Sequence, residues 1–233
     1  MKRFIVLVVL FALVIPQVYG MGFEIAQKGV KVGINLANAS GETADPGPGI
    51  DKVSKTKFGV GGYAVFEMNE MFTLMPELWI IGRGVGYEGT GFEATYSATY
   101  LEIPVLVRYH PLPDNDFNPN IFVGPVIGMN FGSKGKIDLG AFGSSEGKIQ
   151  NVSFFQLGLS FGAGGQYEFM NGFLVFDVRY YMGLTNLAST PSDSDIANAG
   201  ADDIYIYDTD AQGNIKDVDT KNTGIMISVG YAF

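Results

Sequence analysis

Six charged residues fall on stretches that otherwise read as oily: Glu77, Arg83, Glu102, Arg108, Asp177 and Arg179. Glu77 and Arg83 lie six apart on one face of MFTLMPELWIIGR, and Glu102 and Arg108 lie six apart on one face of YLEIPVLVRY. Opposite residues of an antiparallel pair have a constant sum of numbers, and Glu77 with Arg108 and Arg83 with Glu102 share the sum 185. One register therefore sets two acid–base pairs across from each other. Buried ions need such partners, because an unpaired one is costly. The set could serve as a structural plug or line a conduction path. Eight strands close around an interior just wide enough for side chains, which favours the plug.

Two further groups could carry chemistry. Asp208, Asp210, Gln212, Gly213, Ile215 and Asp219 echo a calcium loop, with acids at positions one, three and twelve and glycine at six. The fifth position is Gln and the last is the shorter Asp, so the same residues also read as a hairpin turn joining IYIY to IKDV. His110 is the single histidine. A catalytic role would need a serine or acid beside it near the outer leaflet, whereas its place at the end of a strand reads as a periplasmic rim residue. No catalytic set is expected, nor any cofactor other than calcium.

Composition narrows the classes. Charged residues make up 17%, low for a soluble protein, whereas 32 glycines with 18 Phe and 12 Tyr suit closely packed strands and interfacial aromatic girdles. A net charge of −9 argues against a nucleic-acid partner, which requires a basic face. The absence of cysteine excludes disulfides and thiolate metal sites.

Residues 1–20 have the parts of a cleavable signal peptide: Lys2 and Arg3, an apolar run from Phe4 to Ile15, then Pro16 and small-residue punctuation ending at Gly20. The run is shorter than the roughly 20 residues of a spanning helix. Residues 21–233 then read as one barrel domain. Alternation of period two predicts strands near residues 29–37, 57–68, 71–85, 96–110, 120–132, 151–169, 173–185 and 222–233. Asn171-Gly172 predicts a two-residue hairpin with Met170 opposite Phe173. Pro76, Pro104 and Pro125 fall inside predicted strands, where bulges are the expected accommodation. Connections alternate long and short, and with both termini periplasmic the long ones all lie outside. The longest, Leu187 to Thr220, carries eight aspartates and is expected to meet partners.

Alternation does not say which face points inward. A soluble up-and-down barrel would bury the oily face. The export signal, the aromatic end and a polar face made of glycine and complementary charge favour an all-β, eight-stranded antiparallel up-and-down transmembrane barrel. The runs PELWI, YLEIPVLVRY, GLSFGAGGQYEF, VRYYMGLTNL and SVGYAF resemble the PorT-like outer-membrane β-barrel family. That resemblance implies an integral protein of the cell outer membrane, in contact with outer-membrane lipid. It also implies insertion by the barrel-assembly machinery, which reads an aromatic-x-aromatic end similar to Tyr231-Ala232-Phe233. Some relatives serve protein secretion, and the family has no catalytic residues to carry over.

Overall fold

The computed structural model describes residues 25–113, 115–200, 202–210 and 212–233. The expected signal peptide, residues 1–20, lies outside them. The strands are β1 (Ile25–Ser40), β2 (Ile50–Glu67), β3 (Phe72–Gly89), β4 (Phe92–Tyr109), β5 (Phe117–Asp138), β6 (Ser144–Ile149), β7 (Phe155–Phe169), β8 (Gly172–Gly183), β9 (Asp203–Ile204), β10 (Asp208–Thr209), β11 (Ile215–Lys216) and β12 (Lys221–Ala232). A short helix, α1 (Asp193–Ala197), interrupts the connection after β8. Eight strands form the wall in the order β4-β3-β2-β1-β12-β8-β7-β5, and pairing of β4 with β5 closes the ring. All eight pairings are antiparallel, including the first strand with the last.

Exposure decides which face is inside. Val30, Phe58, Ile80, Ile121 and Ile227 are between 54% and 71% exposed, whereas Lys31, Glu77 and Asp177 are at most 2% exposed. Leu78 and Val105 keep the outward parity of Ile80 and Val107. The molecule is thus apolar outside and charged inside, the inverse of a soluble barrel. On β3 the outward apolar run ends at Ile80, where Gly82, Gly84 and Gly86 take over. Phe72 to Ile80 is about the length that crosses a bilayer as a tilted strand.

The strands outrun their oily segments. The expected connection at residues 86–95 is strand on both sides of a turn at Thr90 and Gly91, and the expected loop at 38–56 shrinks to residues 41–49. β5 continues to Asp138 and turns back as β6. Past the oily band the outward face of these ribbons turns to glycine and polar residues while the inward face keeps Ile81, Val85 and Tyr96, so an alternation with an oily outer face gave no sign of them.

Three register expectations are corrected. β3 and β4 pair with the sum 181, as in Thr73↔Arg108 and Trp79↔Glu102, four residues from the expected 185. The β7–β8 hairpin turns at Met170 and Asn171, so Glu168 faces Phe173 and Tyr167 faces Leu174. Only Met170 has positive φ there, 56°, and Gly172 belongs to β8. A Cβ at Gly172 would run into the Ala232 carbonyl, so the glycine serves close packing against β12 rather than the turn. Both errors are even-numbered slips, which preserve the face of every side chain.

The prolines, finally, produce no bulge. Pro76 keeps its pairing with Val105, Pro104 with Val126 and Pro125 with Leu159, all in unbroken register. On the opposite side of each proline the ladder lapses for about two residues and then resumes. A missing N–H deletes a bond without requiring an inserted residue. The real slips are elsewhere, between Ile25 and Gln27 on β1, between Ser54 and Gly59 on β2 and between Thr99 and Tyr100 on β4.

Candidate functional site in the barrel interior

Inward-facing positions of β1, β3, β4 and β8 bring charges from distant parts of the chain together. Glu77 accepts from Lys31 (2.8 Å), Trp79 Nε1 (2.8 Å) and both Arg179 terminal nitrogens (2.5 and 3.0 Å). Asp177 accepts from Lys31 (2.5 Å), from Arg108 (2.9 and 3.0 Å) and from Arg179 at 3.4 Å. Arg108 also donates to Asn120 Oδ1 at 3.2 Å. Nearer the other end, Arg83 and Glu102 form a two-bond fork at 2.8 Å each, with the guanidinium stacked 3.7 Å over Tyr181. Planar fork-to-fork pairing of this kind is the strong geometry for a buried arginine.

The six expected residues are therefore all buried and ion-paired, but not as the sequence suggested. Arg83 and Glu102 do pair, although in the true register Arg83 lies opposite Ala98 and reaches Glu102 along the barrel. Glu77 and Arg108 do not pair. With Arg108 opposite Thr73, Glu77 turns to Arg179 and Lys31, and Arg108 to Asp177. Lys31 is the member that sequence reasoning missed: it bridges both carboxylates and lies 4.5 Å over the Tyr63 ring. Its position between Val30 and Val32 on an inward-facing register was the available signal.

Above the ions, neutral groups continue across the interior. Tyr100 OH accepts from Gln156 (2.9 Å) and lies 3.1 Å from Tyr96 OH, and Gln156 accepts from Asn222 (2.8 Å). Between the two charged groups a gap bounded by Trp79, Arg83, Glu102, Ser160, Arg179 and Tyr181 has a cavity volume of about 10 Å³, the space of one water. The segment after β8 folds over this end: Leu187, Ala188 and Val218 are buried against a cluster that includes Trp79, Ile81 and Tyr100. Leu187 N–H bonds Thr220 O at 2.6 Å, and Asn151 donates to the carbonyls of Ser189 and Ile206.

The calcium set is not assembled. Asp208 pairs with Lys216 at 3.2 Å, and Asp210 accepts from Gln212 N, Asn214 N and the Asn214 amide. Asp219 is turned to Lys221 and to the Glu42 amide. These bonds hold the three carboxyls below the ordinary aspartate range. Among the described residues no group of three or more acidic or histidine side chains converges. The stretch forms the β10–β11 hairpin instead, with Asp210 as its turn residue.

His110, just past β4, is buried, with Nε2 3.1 Å from Thr73 Oγ1 and Nδ1 2.8 Å from Asn118 Oδ1. Since an amide oxygen can only accept, Nδ1 carries the proton and Nε2 receives the threonine hydroxyl. Burial is the largest influence and holds the imidazole below its ordinary pKa, and Arg108 lowers it further against the Asn118 bond. At the chain's end Tyr231 pairs with Val30 and Leu174, and Phe233 stacks under Lys28 at 5.5 Å.

A closed eight-stranded wall, oily outside and ion-paired inside, defines an outer-membrane β-barrel protein. The chain belongs to the outer membrane protein beta-barrel domain family, whose model matches residues 25–189. No curated protein matches it in sequence. Among solved structures it is similar to the outer membrane protein OprG from Pseudomonas aeruginosa, at 16% identity and a TM-score of 0.50 over 90% of this chain and 97% of that one. It is also similar to Ail, the attachment invasion locus protein of Yersinia pestis, at 14% identity and a TM-score of 0.40 over 90% and 100%. At such identities the likeness concerns the fold. The protein is a resident of the outer membrane.

Proposed function

We propose that this barrel is non-enzymatic, that its lumen is plugged by its own side chains, and that it acts through the connections at its outward end. The observation that carries this reading is the interior network: seven buried ionic side chains and the Tyr100 group cross the lumen around a cavity of about 10 Å³. A hydrated ion or solute needs far more room than one water. The long connections, by contrast, form an ordered cap whose β10–β11 hairpin projects acidic residues. Ordered surface loops on a rigid scaffold are where binding residues concentrate. With the termini periplasmic, that cap faces outward and would meet basic protein surfaces or stabilise the envelope. Outer-membrane lipid and the assembly machinery complete the expected partners, and nucleic acid is not among them. The narrower likeness to PorT-like proteins supports a further variant, an accessory of a secretion system.

The test pairs two measurements. In planar bilayers the protein should show no steady ohmic conductance. Residues 207–216 can be replaced by a two-glycine link, because Asp208 and Lys216 face each other at the hairpin base. That variant should insert normally and lose any partner that the parent protein captures. Conductance altered by Arg83 or Arg108 substitution would establish a small-solute channel instead.

A further inference from the structure

The outer wall carries a second charged feature, on the lipid side. Between Ser54 and Gly59 the β2–β3 register slips by one residue, and a one-residue slip exchanges faces. Lys57 thereby lies over outward-facing Gly82 and Gly84 of β3: a Cβ at Gly82 would meet Lys57 Cβ at 2.9 Å, and one at Gly84 would meet Lys57 Cε at 3.2 Å. Gly82 lines a trough of about 890 Å³ on the outer surface, walled by Lys57 on one side and by Lys134 and Lys148 on the other. Ser97 and Thr99 supply hydroxyls between them, and exposed Phe131 marks its lower edge. The trough starts where the apolar run of β3 stops.

Its charges are incompletely answered. Lys134 and Lys148 are direct cross-strand partners, and like charges directly opposite are destabilising. The same sheet shows how such a pair is resolved: Glu88 faces Glu93, and Lys55 bridges both at 3.3 Å. For the lysine pair, Glu146 reaches only Lys134, at 2.9 Å. Asp203, beside Lys148, is engaged by Gln150 and by Gly200 N–H. Among the described residues Lys57 has no carboxylate partner and donates to Ser97 Oγ at 2.8 Å. Asp202 also lines the trough and Asp203 adjoins Lys148, yet of the three lysines only Lys134 is in a close ion pair among the described residues.

We propose that the trough binds the phosphate-bearing headgroup of an anionic glycolipid in the outer leaflet, an inference that rests on the outward orientation adopted above. The acyl chains lie on the apolar wall below, and the phosphate takes the place between Lys134 and Lys148 that Lys55 fills between the two glutamates. Lysines at the edge of a lipid-facing surface place their charge at headgroup level.

The full-length protein, in phosphatidylcholine vesicles doped with diphosphorylated lipid A, is extracted and its retained lipid counted by native mass spectrometry. Retention should require the phosphates and survive excess inorganic phosphate. Lys57→Gln and Lys148→Gln should each lower it about fivefold. Ser97→Asp, which adds an acid to the floor, should do the same, and heat-modifiable migration confirms that each variant is folded. Equal retention of dephosphorylated lipid, displacement by inorganic phosphate, or an unchanged Lys57→Gln/Lys148→Gln double variant overturns the proposal. A cysteine placed at exposed Ser144 and probed with an impermeant maleimide on intact cells tests orientation separately. Failure to label overturns the orientation and the outer-leaflet site together, whereas labelling without lipid retention overturns the lipid site alone.

Discussion

Glu77→Gln removes one negative charge from the centre of the interior while keeping the side chain's shape. The carboxylate receives four hydrogen bonds, three of them from cations. Breaking a buried pair from one side costs about 3–5 kcal/mol, because the partner is left buried and uncompensated. A double-mutant cycle separates the partners. Arg179 makes two bonds to Glu77, and hydrogen bonds to charged groups contribute about 1.5–3 kcal/mol each. The coupling between Glu77→Gln and Arg179→Met should therefore reach the upper end of the range for neighbours, about 2–3 kcal/mol. Arg108 bonds Asp177 and Asn120 and not Glu77, so its cycle with Glu77 should give less than about 1 kcal/mol. Urea unfolding in phospholipid vesicles reads both, with the protein's single tryptophan, Trp79, as the probe, since its indole N–H donates to Glu77. Equal coupling to the two arginines, or stronger coupling to Arg108, would show that the interior pairs as the 185 register has it and not as described.

Three other outcomes follow from particular residues. Met170→Gly should stabilise by about 1 kcal/mol in the same urea assay, because a left-handed φ costs a residue with a Cβ about that much. Gly172→Ala should destabilise by about 1–3 kcal/mol through its collision with the Ala232 carbonyl, and a neutral result would return that glycine to the turn. His110 is held neutral by burial, so between its ordinary value of about 6.5 and its lower folded value the unfolded chain binds the extra proton. Its contribution is complete above pH ~6.5 and is lost as pH falls through the folded value. The unfolding midpoint of His110→Asn should accordingly fall less than that of the parent between neutral and mildly acid pH.

Face assignments were legible because they depend on parity alone. Every inward charge named from the sequence is inward, and the count of wall strands follows from the same period. Register was not legible: pairs such as Thr73↔Arg108 and Glu168↔Phe173 depend on how closely backbones approach, as at Gly172, and on side chains long enough to pair along the barrel as Arg83 does. Lys31 was passed over because its partners sit 46 and 146 residues away, on strands that only barrel closure brings near. The capping of the interior by Leu187, Ala188 and Val218 was equally hidden, since three scattered apolar residues in a polar connection have no period to display.

The prolines of β3, β4 and β5 have a mechanical consequence. Pro76 interrupts the ladder toward β2, Pro104 toward β3 and Pro125 toward β4, so the three lapses descend from neighbour to neighbour as one oblique seam. Glu77 and Leu78 stand inside its middle segment. Along that line the wall is a hinge-like joint of side-chain contacts, not a continuous hydrogen-bonded hoop. Its stiffness there is supplied from within, by the salt links that hold Glu77 to the far wall. Lipid offers no water to mend an opened ladder, so amide exchange should begin along this seam, and slackening the interior ions should hasten it there before anywhere else in the wall.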